Sequence, residues 1–187
     1  MKNIEQELKL LLTEREYNIL LNASNSQPVK QTNYYFSNKT TATDVMIRIR
    51  ERQGTFLACF KQCLSFVNDV AVCDEREAEV MDSFCKLAIS RGITSSELKS
   101  LFNITYPDVK YVGQMETYRT KFVLQNLNIE LDKNVYLGTT DYELECESSF
   151  VDVLQNLKDF LFYTYGIVPK SSAPKVQRFF NRLNSLD

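Results

Sequence analysis

Charged residues in this chain recur at every second position, and that spacing decides what chemistry they can do. Glu5, Glu7 and Lys9 share one parity while Ile4, Leu8 and Leu10 take the other. On a helix such charges would spread around the axis; on a strand they project from one face. The pattern returns along the chain. Arg48, Arg50 and Arg52 alternate with Ile47 and Ile49, and Lys61 shares a side with Cys59 and Leu57, opposite Phe56, Ala58 and Phe60. Glu75, Glu77 and Glu79 alternate with Arg76, Ala78 and Val80, and Arg119 and Lys121 face away from Tyr118 and Phe122. Glu143, Glu145 and Glu147 alternate with Tyr142, Leu144 and Cys146.

Half-buried antiparallel strands commonly turn a polar side to water. Here six segments carry full charges where Ser, Thr, Asn and Gln would serve a merely solvated face, and the signs segregate by strand. Like charges on neighbouring positions repel unless the opposite sign stands between them. A closed or nearly closed barrel resolves this, with apolar faces outward beneath helices and charged faces lining a lumen. About eight strands leave room for one small ligand. Charges in a dry lumen would lose their hydration, so water, ions and a ligand must partner them. Arginine offers bidentate contacts to phosphate oxygens. Carboxylates suit Mg²⁺ or Mn²⁺, hard cations that take one or two carboxylates together with substrate phosphates. The two sets describe a metal–polyphosphate site.

Composition removes the competing chemistries. The 187 residues contain no histidine, which excludes a Ser-His or Cys-His nucleophile and the usual His/Cys zinc sites. The formal net charge of -2 argues against bulk nucleic-acid binding. No apolar run approaches a membrane span, and the early Glu5 and Glu7 leave no signal peptide in view. Five cysteines without a CxxC pair fit a reducing cytoplasm better than a disulfide framework.

The elements that must position these charges follow from periodicity and turn chemistry. Residues 2–12 read as a strand, and the capping box of Thr13 to Glu16 opens a helix to about Ala23. Residues 29–37 make a second strand, a hairpin turns at Gln53-Gly54, and 70–80 form a further strand. Helices follow at about 83–92, stopped by Gly92, and at 95–102. The spacing predicts two strands broken near Gly113, then two more with a turn at Asp132-Lys133-Asn134. A serine-capped helix ending at Gly166 and a last helix opened near Pro174 complete the chain. The order is α+β: an eight-stranded antiparallel β-barrel, or tunnel, with four or five helices packed outside, in a single domain spanning 1–187.

With these residues in place, the chain resembles the CYTH domain family, the triphosphate tunnel metalloenzymes. EQELK at 5–9 matches that family's ExExK signature. It is followed in family order by YYF (34–36), IRIR (47–50), FK (60–61), EREAE (75–79), YRTKF (118–122), ELD (130–132), LGTTDYELECE (137–147) and SAPKVQR (172–178). The likeness covers nearly the whole chain and is strongest to the compact bacterial branch. It implies a divalent-metal-dependent hydrolase that cleaves the terminal phosphate of inorganic triphosphate or a related small triphosphate.

Carried over by motif, Glu5, Glu7, Glu143 and Glu145 would hold metal. Lys9, Arg48, Arg50, Lys61, Arg119, Lys121, Lys175 and Arg178 would hold phosphate oxygens. Glu5, Glu7, Lys9 and Lys61 are the implied catalytic groups. Glu75, Glu77 and Asp132 are further candidates. Glu147, Glu79 and Arg52 stand at strand ends, where plain solvation competes with a tunnel role. Phe36 departs from the family pattern, standing where many relatives carry Asp; Tyr34 and Tyr35 are expected to be structural. The same resemblance leaves two other enzymes open, an adenylate cyclase and a thiamine triphosphatase. A module that binds polyphosphate or a nucleotide without turnover is the non-enzymatic alternative. The expected partner is a small triphosphate, without nucleic acid or membrane, in a monomeric or homodimeric protein.

Overall fold

Alternating sequences become strands when one face can be buried. The computed structural model of the chain describes residues 6–38, 45–67 and 70–186. One antiparallel sheet comprises β1 (Gln6–Leu12), β2 (Val29–Ser37), β3 (Val45–Arg52), β4 (Thr55–Val67), β5 (Val70–Val80), β6 (Lys110–Leu124), β7 (Leu127–Tyr136) and β8 (Thr139–Ser148). Its order is β1-β8-β7-β6-β2-β3-β4-β5. Among the described residues five helices accompany it: α1 (Glu14–Ser24), α2 (Asp82–Arg91), α3 (Ser95–Phe102), α4 (Val151–Tyr165) and α5 (Lys175–Asn184). None is long and apolar enough to cross a membrane.

The chain forms two compact units, Met1–Lys30 with Thr117–Ala173 and Gln31–Glu116 with Pro174–Asp187. In the first, Leu8, Leu10 and Leu12 of β1, Ile129 and Leu131 of β7 and Leu144 of β8 make one apolar face. Tyr17 and Leu20 of α1 and Leu154, Leu157 and Leu161 of α4 pack against it. In the second unit, Ile47, Ile49, Ala58 and Phe60 take that role beneath Cys85 and Ala88 of α2 and Leu98 and Phe102 of α3. A buried Leu or Ile contributes about 2 kcal/mol, whereas an exposed ion pair contributes about 0–1 kcal/mol. The apolar faces therefore hold the sheet, and the charged faces are carried on it.

Turns set the register. Gln53 and Gly54 both have positive φ (52° and 81°), as do Gln125 and Asn126 (51° and 60°) and Leu137 and Gly138 (45° and 71°). Such pairs match the right-handed twist of the strands they join. The exposed edge of β1 is covered by a short segment: Leu11 N–H donates to the Lys170 carbonyl at 2.8 Å and Ser172 N–H to the Lys9 carbonyl at 3.3 Å. Covering an edge removes a template for unwanted pairing.

Three local expectations give way. β6 runs unbroken through Gly113, whose φ of 141° is tolerated within the strand. β7 continues through Asp132-Lys133-Asn134, and the turn falls instead at Leu137-Gly138. Asp132 and Asn134 are fully buried, and Thr117 Oγ1 donates to Asn134 Oδ1 at 2.8 Å while Asn134 Nδ2 donates to Asp141 Oδ1 at 2.9 Å. Cross-strand hydrogen bonds thus override the turn preference of Asp and Asn. α4 begins after Phe150 with no side-chain cap; Ser148 Oγ accepts the Phe150 N–H from outside the helix. The expected capping box at Thr13 is present, and a second one at Thr94 opens α3.

Gly92 combines φ of 89° with close packing, since a Cβ there would lie 2.2 Å from the Val109 carbonyl oxygen. Ile93 and Val109 exchange both backbone hydrogen bonds at 2.9 Å beside it. Gly92→Ala should therefore cost at least about 2 kcal/mol, read as a lower urea midpoint at unchanged slope. At the start of α3, the Arg91 guanidinium, donating at 2.5 Å, holds the Glu97 pKa at about 2, against burial and with help from Thr94. A carboxyl pKa lowered on folding stabilises above its ordinary value of 4.5 and ceases to as pH falls toward 2. Glu97→Gln should lower the melting temperature at pH 7, and the gap to wild type should close by about pH 2.

Candidate metal and phosphate site

Each charged side chain stands opposite a definite partner because the hairpins fix which residues face one another. In the first unit, β8 lies between β1 and β7. Lys9 is opposite Glu145, which is opposite Glu130; Leu11 is opposite Glu143, which is opposite Asp132; Glu7 is opposite Glu147. The parity of these positions is opposite to that of Leu8, Leu10, Leu144, Ile129 and Leu131, so burial of the leucine face turns the carboxylates to the other side. Glu143 and Asp132 are fully buried, and Glu145 is nearly so.

Cations bind this acidic face together. Lys9 Nζ lies 2.9 Å from Glu7 Oε1 and 3.0 Å from Glu145 Oε1. Burial opposes the charge on Lys9, but the carboxylates of Glu145 and Glu7 outweigh it and hold its pKa above the ordinary value. Arg119 grips Asp132 with two prongs, Nε to Oδ1 at 2.8 Å and Nη2 to Oδ2 at 2.6 Å. Its Nη2 also donates to Glu145 Oε2 at 2.9 Å, and its Nη1 pairs with Glu130. Burial lowers the Arg119 pKa, yet Asp132, Glu130 and Glu145 together raise it. Lys121 is exposed and pairs with Glu130 at 2.6 Å. Ser172, from the segment covering β1, donates to Glu143 Oε2 at 3.4 Å.

Asp132, Glu143 and Glu145 each offer a carboxylate oxygen within 4.8 Å of the others. Three hard oxygen donors from buried, strand-held carboxylates fit a hard divalent cation such as Mg²⁺ or Mn²⁺. Of the expected metal set, Glu143 and Glu145 come together here with Asp132, expected only as a further candidate. Glu7 is exposed and joins them through Lys9. Glu5 lies outside the described residues. Beside the cluster, Glu7, Asn128, Glu130, Glu145, Cys146 and Glu147 line a cleft of about 250 Å³.

The second unit carries the arginine strand. Arg48 stands opposite Tyr35 on one side and Cys59 on the other, with Glu77 next; Arg50 stands opposite Asn33 and Leu57, with Glu79 next. Arg50 Nε donates to Asn33 Oδ1 at 3.1 Å. Tyr35 is buried, its ring centroid 4.8 Å from that of Phe179 on α5, the helix that carries Lys175 and Arg178. Burial raises the Tyr35 pKa, and the positive charges of Arg48, Arg50 and Arg178 only partly offset it. The Arg48 Nε is buried without a hydrogen-bond acceptor. Lys61 pairs with Glu75 at 3.3 Å, and the Cys59 thiol donates to Glu77 Oε1 at 3.3 Å; burial raises the pKa of that thiol. Glu75, Glu77 and Arg52 are exposed. Phe36, at the departure from the family pattern, is a core residue and carries no chemistry. Ser172, Asn33 and Glu130 are not among the expected site residues, although Ser172 and Glu130 lie within the matched SAPKVQR and ELD segments. The first two are uncharged, and the turn expected at Asp132 hides the alternation of Glu130 with it.

Comparison with known proteins finds relatives along nearly the whole chain. The CYTH domain model matches residues 3–180. A Bacillus subtilis (strain 168) protein named "Putative triphosphatase YjbK" is 25% identical, with 96% of this chain and 95% of that protein covered. A Bacillus halodurans protein described as a "putative adenylate cyclase" has the same fold, with a TM-score of 0.73 at 24% identity over 95% of this chain and 97% of the other. A Hippeastrum protein, described as a "putative adenylyl cyclase" with a dominant triphosphatase activity, gives 0.72 at 21% identity, over 94% and 95%.

If the carboxylate cluster is the metal site, calorimetric titration with Mn²⁺ should show binding to the wild type. Glu143→Gln and Asp132→Asn should each weaken it by about tenfold or more; unchanged affinity in both would remove the cluster as the site.

Proposed function

The chain belongs to the CYTH domain family, and from that premise we propose that it is a divalent-metal-dependent triphosphatase that removes the terminal phosphate of inorganic triphosphate or a similarly small triphosphate. The observation that carries the reading is the buried cluster of Asp132, Glu143 and Glu145 with Arg119 and Lys9 woven into it. A receptor for the anion alone would need no buried carboxylates. Their desolvation is costly, and a cation-dependent reaction gives them a use. The name of the Bacillus subtilis relative agrees with this reading.

In this reading Asp132, Glu143 and Glu145, with Glu7 and Glu5, hold Mg²⁺ or Mn²⁺. When bound, the metal supplies Lewis-acid polarisation of phosphoryl oxygens. The rest is done by the chain's own groups. In the first unit Lys9, Arg119 and Lys121 bind and orient phosphate oxygens beside the carboxylates. The second unit carries its own phosphate-binding candidates: Arg48, Arg50, Lys61, Lys175 and Arg178. Phosphoryl transfer spreads negative charge over those oxygens as the bond to the leaving group lengthens. Fixed positive groups stabilise that charge more than they stabilise the bound substrate. Strand-borne side chains suit this role because their backbone does not reorganise during the reaction. Asn33 holds Arg50 in place through its side-chain carbonyl, and Tyr35 stands beside Arg48 on the neighbouring strand. Lys61 and Glu75 remain a paired, solvent-facing couple whose lysine reaches a phosphate once released.

Purified protein with Mn²⁺ or Mg²⁺ should release phosphate from inorganic triphosphate. Glu145→Gln and Arg50→Met should each lower the rate by about 100-fold. Unchanged rates in both would overturn the assignment. Supplied with ATP, the protein should form free phosphate; cyclic AMP formed without phosphate would replace this reading with that of a cyclase.

A further inference from the structure

The donors on Arg119 are almost fully committed. A guanidinium has five N–H groups. Here Nε donates to Asp132 Oδ1, Nη2 to both Asp132 Oδ2 and Glu145 Oε2, and Nη1 pairs with Glu130. At most one N–H is left, too few for a bidentate grip on phosphate. At the same time two of the three buried carboxylates that fit a divalent cation are those that Arg119 occupies. Anion and metal duties exclude each other in this arrangement. Among the described residues, the carboxylates of Glu7, Glu130, Asp132, Glu143 and Glu145 stand in one connected set with Lys9, Arg119 and Lys121.

We propose that Arg119 is an internal stand-in for the divalent cation: it holds Asp132 and Glu145 while no metal is bound, and metal entry releases it from them toward phosphate. The inference rests on the metal-dependent reading above and adds an exchange step to it. The metal takes over the carboxylate oxygens, and the freed guanidinium becomes available to the anion. Because each ligand vacates the other's partner, metal and triphosphate bind with positive coupling, which must be reciprocal. Lys9 follows the same rule on a smaller scale, since Glu145 Oε1 accepts from it while Oε2 accepts from Arg119. Without the stand-in, the carboxylates would repel one another across the strand pairs.

The test is Mn²⁺ binding without any phosphate, by calorimetry and by melting temperature, on wild type, Arg119→Met and Arg119→Lys. Arg119→Met should melt lower than wild type without metal and should gain a larger upward shift on adding Mn²⁺. Its Mn²⁺ affinity should be about tenfold tighter, within the range common for coupled sites. Arg119→Lys, which keeps the charge but loses the fork, should fall between the two and supplies the comparison if the methionine variant does not fold. A residue with only a structural role would weaken Mn²⁺ binding when removed. Equal or weaker Mn²⁺ affinity in both variants, with the wild type binding normally, overturns the exchange and leaves the metal site standing. Absence of Mn²⁺ binding to wild type overturns both.

Discussion

Two carboxylates facing each other across a strand pair repel, and the polar side of the first unit sets up that opposition three times: Glu143 with Asp132, Glu145 with Glu130, and Glu147 with Glu7. The arrangement persists because cations stand among them and because the reverse side of the same strands is leucine-rich core. Moving the carboxylates out to water would expose Leu8, Leu10, Ile129, Leu131 and Leu144. Each of those is worth about 2 kcal/mol when buried. Hydrophobic burial therefore enforces an electrostatic arrangement that would not assemble unaided. The second unit repeats the scheme, its isoleucines and phenylalanines beneath helices and Arg48 and Arg50 on the other side together with Glu77 and Glu79.

A chain without histidine carries its charges differently from a proton-shuttling enzyme. General acid–base groups work best with pKa values near the operating pH. Lys9 and Arg119 are shifted the other way, held protonated by the carboxylates around them. They remain fixed positive charges across the neutral range. Buried Tyr35 is likewise held in its neutral form, beside Arg48 on the neighbouring strand.

Much of this was legible in alternation. The parity of Glu143, Glu145, Arg48, Arg50, Arg119 and Lys9 assigns each to a face, because a strand allows only two. The strands β2 and β5, the capping box at Thr13 and the turn at Gln53-Gly54 follow from local chemistry alone. What failed to show were features decided by distant partners. Asp132 and Asn134 look like turn residues until Arg119, Thr117 and Asp141 satisfy them within a strand. Gly113 looks like a break until neighbouring strands carry β6 past it. Ion pairing was equally hidden: periodicity says that Arg119 and Glu145 face the same way, but nothing in their spacing says that one guanidinium holds three carboxylates. The packing of Tyr35 on Phe179 joins residues far apart in sequence and leaves no trace in either segment.

The tight two-residue turns have a wider reach than their size. Side chains on a strand alternate with period two, so a slip of one position along β7 would exchange its faces. Glu130 and Asp132 would then point beneath α1 and α4, while Ile129 and Leu131 would meet Lys9 and Arg119. The left-handed pair Gln125-Asn126 at one end of β7, and Leu137-Gly138 at the other, leave no slack to absorb such a slip. An inserted residue that shifted this register by one would scramble the charged face without touching any of its charges.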